Sequence, residues 1–368
     1  MRTGSITVAS INMSSRPRRA VRLPGVAAGF VLALSCLGTH PGAQAQVQDV
    51  ALAQVWAGKP LRIIVGYSPP STFDNYARLL ARHYGAYVPG KPHVIVQAVP
   101  GAGGINSVSY MANVAPRDGS TLALINASNT TEPLLQPGKA TFDATKFVWI
   151  GSMNSENTAC AFWAENIRSI DDLKSREILL GATGPGAGSS LEALALQSVL
   201  GFRFKLVQGY RGLADVRLAA ARGEVDGHCA IMASSLRADL RDMMNSGQMR
   251  VLIQTGVRKH PDIPEVPNSF DLVATEEQRQ VLQLVFSPWA FGRPVLAPPG
   301  VAPERIAALR DAFERVMVSA ELLAEANKLQ MEVLLMKGAD IEQRVAQIYA
   351  TPPAIVLKTR EILGIQSK

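Results

Sequence analysis

From Leu61 onward, short runs of β-branched and other apolar residues alternate with longer segments whose apolar residues recur at helical spacing. The first run, Leu61 to Gly66, precedes a helical pattern that ends at Pro89-Gly90, and the alternation continues to Thr255. Such alternation is typical of βαβ units, in which crossover helices join parallel strands. The chain is therefore predicted to be an α/β protein with a largely parallel sheet.

The length and the polar and proline-rich stretches indicate how the chain divides. Its 368 residues suit two domains of about 100 to 200 residues each, with one large α/β domain as the alternative. The polar stretch Asn154 to Thr158 is the expected first crossing, and Pro261 to Pro267, with three prolines, is an extended loop that suits the return. The predicted domains are residues 46–153 with 268–368, and residues 154–267.

Residues 1–45 have a different composition from the rest. Four arginines between positions 16 and 22 precede an apolar run from Val26 to Leu37, and Ala43-Gln44-Ala45 follows. This order predicts a secretory signal peptide cleaved near Ala45, because the apolar run is shorter than the ~20 residues of a membrane-spanning helix. The expected location is the periplasm, with an N-terminal anchor as the alternative.

The leader accounts for most of the basic charge. It holds five of the 37 basic residues and none of the 30 acidic ones, so the net charge falls from +7 to +2 on cleavage. Nucleic-acid binding needs a clustered basic footprint, and a net charge of +2 gives it almost no support. We therefore expect no nucleic-acid partner.

The cysteines and histidines form no recognisable metal site. Cys160 and Cys229 remain after cleavage, and one disulfide or two buried thiols fit equally well in an oxidising compartment. His83 is expected to pack on the apolar face of a helix, and His228 is adjacent to Cys229 rather than at metal-ligand spacing. The sequence predicts neither metal nor cofactor.

Catalytic motifs are also missing from the sequence. A nucleotide P-loop and a G-x-S-x-G elbow are absent, and nothing places Asp74 near Asp226 as an acid and base. A secreted hydrolase using Ser71 or Ser189 is the enzymatic alternative, although no histidine can be placed beside either serine. The chain is predicted not to be an enzyme.

Three loops rich in glycine or serine each lead from a predicted strand to a helix: Tyr67 to Asp74, Pro100 to Gly104 and Thr183 to Ser190. The start of a helix leaves N–H groups unpaired and favours anions. In the third loop, Ser189 followed by Glu192 predicts a capping box. Any one loop could be an ordinary turn, but three together favour a carboxylate or phosphate site in a cleft.

At these residues the sequence resembles the substrate-binding proteins of tripartite tricarboxylate transporters, often called the Bordetella uptake gene family. The most specific landmark is Pro100-Gly101-Ala102-Gly103-Gly104, and the resemblance extends from Lys59 to the C-terminus. Other landmarks follow in order at residues 115–119, 184–190, 209–212, 223–226, 264–267 and 297–300. The resemblance implies a type II periplasmic-binding-protein fold, in which two α/β domains close on a carboxylate.

The resemblance also implies the ligand-binding positions. They lie in the loops after the first and third strands, in the second domain's glycine-rich loop and beyond it: Tyr67, Ser71, Thr72, Asp74, Ser128, Asn129, Thr183, Gly186, Gly188, Ser189, Ser190, Tyr210, Arg211 and Asp226. Arg211 is a candidate for a second carboxylate, or else a surface arginine. The sequence departs from the family pattern in two places. Pro70-Ser71 replaces a glycine pair, and Glu192 stands where members often have histidine.

The predicted function is that of an extracytoplasmic receptor. It would capture a small organic acid between its domains, close by hinge motion and deliver the ligand to the membrane permease subunits of a transporter. A monomer is the family-like expectation. The alternative is a periplasmic sensor that passes the signal to a membrane partner without transport.

Overall fold

The computed structural model describes residues 52–138, 140–184, 187–210, 212–238 and 240–365. The predicted signal peptide lies outside this part of the chain. The described residues contain two separate β-sheets, although they cluster by contacts into a single unit. The proposed domain boundaries therefore stay a prediction.

The first sheet has six strands in the order β11-β4-β10-β3-β1-β2. They are β1 (Leu61–Val65), β2 (Val94–Ala98), β3 (Thr121–Leu124), β4 (Val148–Ser152), β10 (Pro294–Ala297) and β11 (Met336–Lys337). β1 is parallel to β2 and β3, whereas β10 runs antiparallel to β3 and β4. The expectation of a largely parallel sheet is wrong here. β10, which comes after the second sheet in the chain, lies between β3 and β4 and is antiparallel to both.

The second sheet has the order β7-β6-β8-β5-β9. Its strands are β5 (Thr158–Phe162), β6 (Ile178–Ala182), β7 (Phe204–Gln208), β8 (Gly227–Met232) and β9 (Arg250–Thr255). β6 is parallel to β7 and β8, and β5 is antiparallel to β8 and β9. The chain thus passes from the first sheet to the second between Ser152 and Thr158, and returns between Thr255 and Pro294.

Helices cover the sheets and connect the strands. They are α1 (Thr72–Tyr84), α2 (Ile105–Asn113), α3 (Glu132–Leu135), α4 (Ile170–Ser175), α5 (Gly188–Leu200), α6 (Leu213–Ala221), α7 (Ala233–Ala238), α8 (Arg241–Asn245), α9 (Glu276–Phe286), α10 (Pro303–Met317), α11 (Ala320–Lys328), α12 (Gly338–Tyr349) and α13 (Pro353–Ile362). No helix among the described residues has the length and apolar character needed to cross a bilayer.

The first helix follows its sequence pattern closely. Ser71 caps α1, and Tyr76, Leu79 and Leu80 are buried on its inner face. His83 departs from the prediction, because its Nε2 lies 2.6 Å from Glu325 Oε2 rather than in apolar surroundings. The helix therefore docks through an apolar face and through polar contacts, among them those of Arg82 and His83 with Glu325.

The two remaining cysteines form a disulfide. Cys160 on β5 and Cys229 on β8 are fully buried and bonded to each other across neighbouring antiparallel strands. The structure thus decides between the two alternatives that the sequence left open. The bond closes a loop with a sequence separation of 69 residues, and closing a loop of that size restricts the unfolded chain.

Candidate functional site

Three loops meet at the carboxyl ends of the first-sheet strands. Tyr67 Oη donates a hydrogen bond to the Gly103 carbonyl at 2.8 Å and accepts one from Asn126 Nδ2 at 2.8 Å. Asn129 Nδ2 donates to the same carbonyl at 3.3 Å. Burial raises the pKa of Tyr67, so its hydroxyl stays protonated. We call these four residues the first-sheet cluster.

The glycines of the Pro-Gly-Ala-Gly-Gly motif allow this close packing. Gly104 has a φ of +96°, and a Cβ there would lie 2.9 Å from Asn129 Oδ1. A Cβ on Gly66 would in turn lie 2.7 Å from the Gly104 Cα. The motif therefore brings the loops together as well as starting α2.

One buried acceptor in the cluster has no partner. Asn129 is 2% exposed, and its Oδ1 accepts no hydrogen bond from the described residues. Because buried polar atoms are nearly always hydrogen-bonded, such an atom needs a donor from water or from a ligand. Among the predicted site residues that the structure describes, Asn129 alone has a buried side-chain atom without a hydrogen-bond partner.

The other predicted residues of the first loop serve the start of α1. Ser71 Oγ accepts the Asp74 N–H at 3.1 Å, and Thr72 is the exposed first residue of the helix. The buried carboxylate of Asp74 accepts from Arg78 Nε at 2.7 Å. After the third strand, Ser128 Oγ donates to Asn126 Oδ1 at 3.0 Å.

Arg293, which the sequence analysis missed, is fully buried next to this cluster. Its guanidinium lies 4.8 Å from the Phe73 ring centroid and 5.1 Å from that of Tyr76. Its Nη1 is 3.7 Å from Glu156 Oε1, and its Nη2 donates to Met232 Sδ at 3.0 Å. The side chain thus contacts α1, the first crossing segment and the end of β8. In the sequence, the indication of this buried residue was that Arg293 is a single charged residue in the apolar run before β10.

The loop after β6 forms the corresponding edge of the second sheet. Ser189 Oγ accepts from the Thr183 N–H at 3.4 Å. Ser190 Oγ donates to the Gly184 carbonyl at 2.7 Å and accepts from Gln208 Nε2 at 3.1 Å. Gly188 is the first residue of α5, and a Cβ there would lie 3.7 Å from Trp289 Cζ2. Gly186 lies outside the described residues.

The predicted capping box between Ser189 and Glu192 is wrong. Ala187 is the N-cap, and α5 begins at Gly188 with no side-chain cap. Both residues of the expected pair therefore lie inside the helix, with Ser189 two residues beyond the N-cap position. Ser189 faces the loop, while Glu192 points into the protein.

Glu192 is a buried carboxyl group at this edge. It accepts hydrogen bonds from Thr158 Oγ1 at 2.7 Å and from the Ala230 N–H at 3.1 Å, and the Trp289 side chain gives a further one. Burial raises its pKa to about 8 because no cation compensates for the lost hydration. Glu192 is therefore uncharged at neutral pH.

Two more predicted residues lie far apart in the second sheet. The Tyr210 N–H donates to the Ala182 carbonyl at 3.4 Å, at the carboxyl end of β6. Asp226 instead accepts the Leu179 N–H at 2.7 Å, near the opposite end of the same strand. Its assignment to the site is thus corrected, since its carboxylate holds strands together. Arg211 lies outside the described residues.

Comparison with known proteins gives consistent matches. A family model described as "Tripartite tricarboxylate transporter family receptor" matches residues 86–360. A Cupriavidus necator protein, "UPF0065 protein in gbd 5'region", is 25% identical over 341 residues, covering 90% of this chain and 95% of its own. The solved structure of the periplasmic binding protein BugD has a TM-score of 0.61 at 20% identity, covering 85% of this chain and 100% of its own. An R. palustris protein with adipate has a TM-score of 0.61 at 18% identity, covering 84% and 98%. These likenesses confirm the predicted fold.

Proposed function

Because the chain belongs to the tripartite tricarboxylate transporter receptor family, we propose that it captures a small organic carboxylate between its two sheets and delivers it to a membrane transporter. The proposed site lies between the first-sheet cluster and the start of α5. It uses the loop from Thr183 to Ser190 as the main anion-binding element. The receptor would work in the periplasm as a monomer, after removal of residues 1–45.

The main support for this proposal is that the N-termini of α1 and α5 differ in capping and charge. At α1, Ser71 caps the helix and Asp74 places a carboxylate in the first turn. α5 has neither a side-chain cap nor an acidic residue in its first turn. Uncapped N–H groups at the positive end of a 13-residue helix favour a bound anion. The carboxylate is therefore expected at α5.

The surrounding groups suit the same ligand class. Ser189 Oγ accepts the Thr183 N–H, so its own proton can be donated to a ligand at the helix start, and the uncharged Glu192 does not repel an anion. On the opposite side, the unpaired Asn129 Oδ1 would accept a hydrogen bond from a ligand hydroxyl or from a protonated carboxyl group. The adipate-bound relative supports an organic acid of this kind.

A thermal-shift screen of the chain from Gln46 onward tests the proposal. Mono-, di- and tricarboxylates, amino acids and aromatic acids are compared. A true ligand raises the melting temperature with concentration, since saturation at 100 times Kd adds about 2.7 kcal/mol to the free energy of unfolding. Ser189→Ala is expected to lose most of this shift, whereas exposed Ser175→Ala keeps it. No shift by any acid at millimolar concentration would reject the carboxylate assignment.

The identity of the membrane partner distinguishes delivery to a transporter from sensing. Uptake of labelled ligand that depends on this chain and on co-purifying permease subunits supports delivery, whereas co-purification with a membrane kinase supports the sensor. The hydrolase alternative has little support. Ser71 Oγ and Ser189 Oγ both accept backbone N–H groups, and no histidine bonds to either within the described residues.

A further inference from the structure

A pocket of about 310 Å³ lies outside the strand-end loops. It is bounded by Val257, just after β9, by α9 with the segment that follows it, and by α12. None of the residues that line it belongs to the first-sheet cluster or to the loop before α5. Its volume is at the lower end of the range of small-molecule sites, which starts at about 300 Å³.

The floor and the rim of this pocket differ in chemistry. Leu284, Phe291 and Ile348 are buried and give an apolar floor. Gln283 and Gln347, both exposed, contribute amide groups at the rim. The hydroxyl groups of Ser287 and Thr351 also line it. A ligand that suits the pocket therefore has a short apolar body and a polar end.

Arg344 determines the sign of that polar end. It is half-buried in the pocket wall, and it forms neither a salt bridge nor a hydrogen bond with the described residues. No acidic side chain is among the described residues that line the pocket. This differs from Arg310, on the neighbouring helix α10, whose Nη2 binds Glu342 of α12 at 2.5 Å. A guanidinium without a carboxylate, beside an apolar floor, is suited to binding an anion.

We propose that this pocket is a second binding site, which takes a small molecule with one carboxylate on a short apolar body. The carboxylate binds Arg344, with the glutamine amides and hydroxyl groups as further donors, and the apolar body covers Phe291 and its neighbours. The site is separate from the one at α5, so the two can be tested independently.

The first test locates a probe in crystals of the chain from Gln46 onward. 4-Bromobenzoate carries the required carboxylate, and the anomalous signal of its bromine shows where it binds. We expect a bromine peak over the floor of the pocket, with the carboxylate within hydrogen-bonding distance of Arg344. A probe that binds only at the strand-end loops, or nowhere at millimolar concentration, overturns the proposal.

The second test measures affinity in solution by ¹⁹F NMR with 4-fluorobenzoate. Arg344→Met, which removes the charge but leaves an unbranched side chain, should weaken binding at least about tenfold, as expected for a lost charge-assisted hydrogen bond. Gln283→Glu should also weaken binding, because it adds a repelling charge at the exposed rim. Arg222→Met, an exposed arginine elsewhere, should change it less than about twofold. Each variant is first checked for an unchanged melting temperature, so that a loss of binding is not a loss of folding.

Two further ligands distinguish the contribution of charge to binding from that of apolar contact. Neutral 4-fluorobenzamide should bind at least about tenfold more weakly than 4-fluorobenzoate, since it cannot form the ion pair. Inorganic phosphate, which lacks an apolar body, should displace the probe only weakly. Equal binding of the benzamide refutes the anion site, and displacement by phosphate at the probe's own concentration refutes the apolar component. Ser189→Ala, which tests the α5 site, should leave all these results unchanged.

Discussion

Replacing Glu192 with glutamine should remove a pH-dependent contribution to the stability of the fold. The folded-state pKa of this carboxyl is raised from 4.5 to about 8 by burial. Between these values the folded protein keeps a proton that the unfolded chain has released. Stability therefore falls as the pH rises from about 4.5 to about 8, and it is not lowered further above that range.

The magnitude follows from the width of this interval. Each pKa unit corresponds to about 1.36 kcal/mol, so a difference of about 3.5 units amounts to at most about 5 kcal/mol. Glutamine is always neutral and can still accept from Thr158 Oγ1 and the Ala230 N–H. The variant should therefore gain stability relative to the wild type steadily across the interval, by several kcal/mol in total.

The assay is urea unfolding of both proteins at pH values from 4.5 to 8.5. Taking the difference between them cancels the titration of all other groups, including buried His228, whose pKa is lowered to about 4 by burial. Glu165→Gln, at an exposed position, is the control, and its difference should stay flat. A flat difference for Glu192→Gln as well would show that the carboxyl ionises normally, and the reasoning from burial would be refuted.

Two other substitutions test contacts at the strand ends. Arg293→Met leaves Glu156 as a buried, unpaired charge and should lower the free energy of unfolding by about 3–5 kcal/mol. Adding Glu156→Gln should recover part of this loss in urea unfolding, and no recovery would mean that the two residues are not coupled. Gly104→Ala forces a Cβ towards Asn129 at positive φ and should cost at least about 1–2 kcal/mol. Gly138→Ala, which meets no atom within 4 Å, should be nearly neutral; equal melting temperatures would contradict this account.

Local patterns in the sequence predicted the alternation of strands and helices, and they placed the first strand to within one residue. The strand predicted from Leu61 to Gly66 runs from Leu61 to Val65, and the Ser71 cap follows from a serine before an apolar helical period. The pairing of strands that are far apart in the sequence was harder to predict. The insertion of β10 between β3 and β4 depends on contacts across more than 140 positions, for which a single sequence carries no periodic signal. The Cys160–Cys229 bond was undecided for the same reason.

The sequence located the loops at the strand ends, where the backbone determines position, but it could not show the direction of individual side chains. The glycine-rich segments do lie at strand ends, because crossover connections put them there. Glu192 fits the capping-box pattern equally well whether it faces solvent or the interior, and the pattern could not show that α5 starts at Gly188. Asp226 was assigned by resemblance alone, and its carboxylate is used by the Leu179 N–H. Arg293 was missed because burial of a lone charge cannot be read from one sequence.

The two departures from the family pattern act in the same direction. Pro70 has no N–H to offer, and Ser71 takes up the N–H groups of Asp74 and Asn75 through its Oγ and its carbonyl oxygen. The start of α1 therefore has fewer donors for a ligand than a glycine pair would leave. At the other loop, an ionised Glu192 would oppose an anion, but burial keeps it neutral. Together these changes weaken one anion-binding helix start and preserve the other, so the ligand carboxylate should depend mainly on α5.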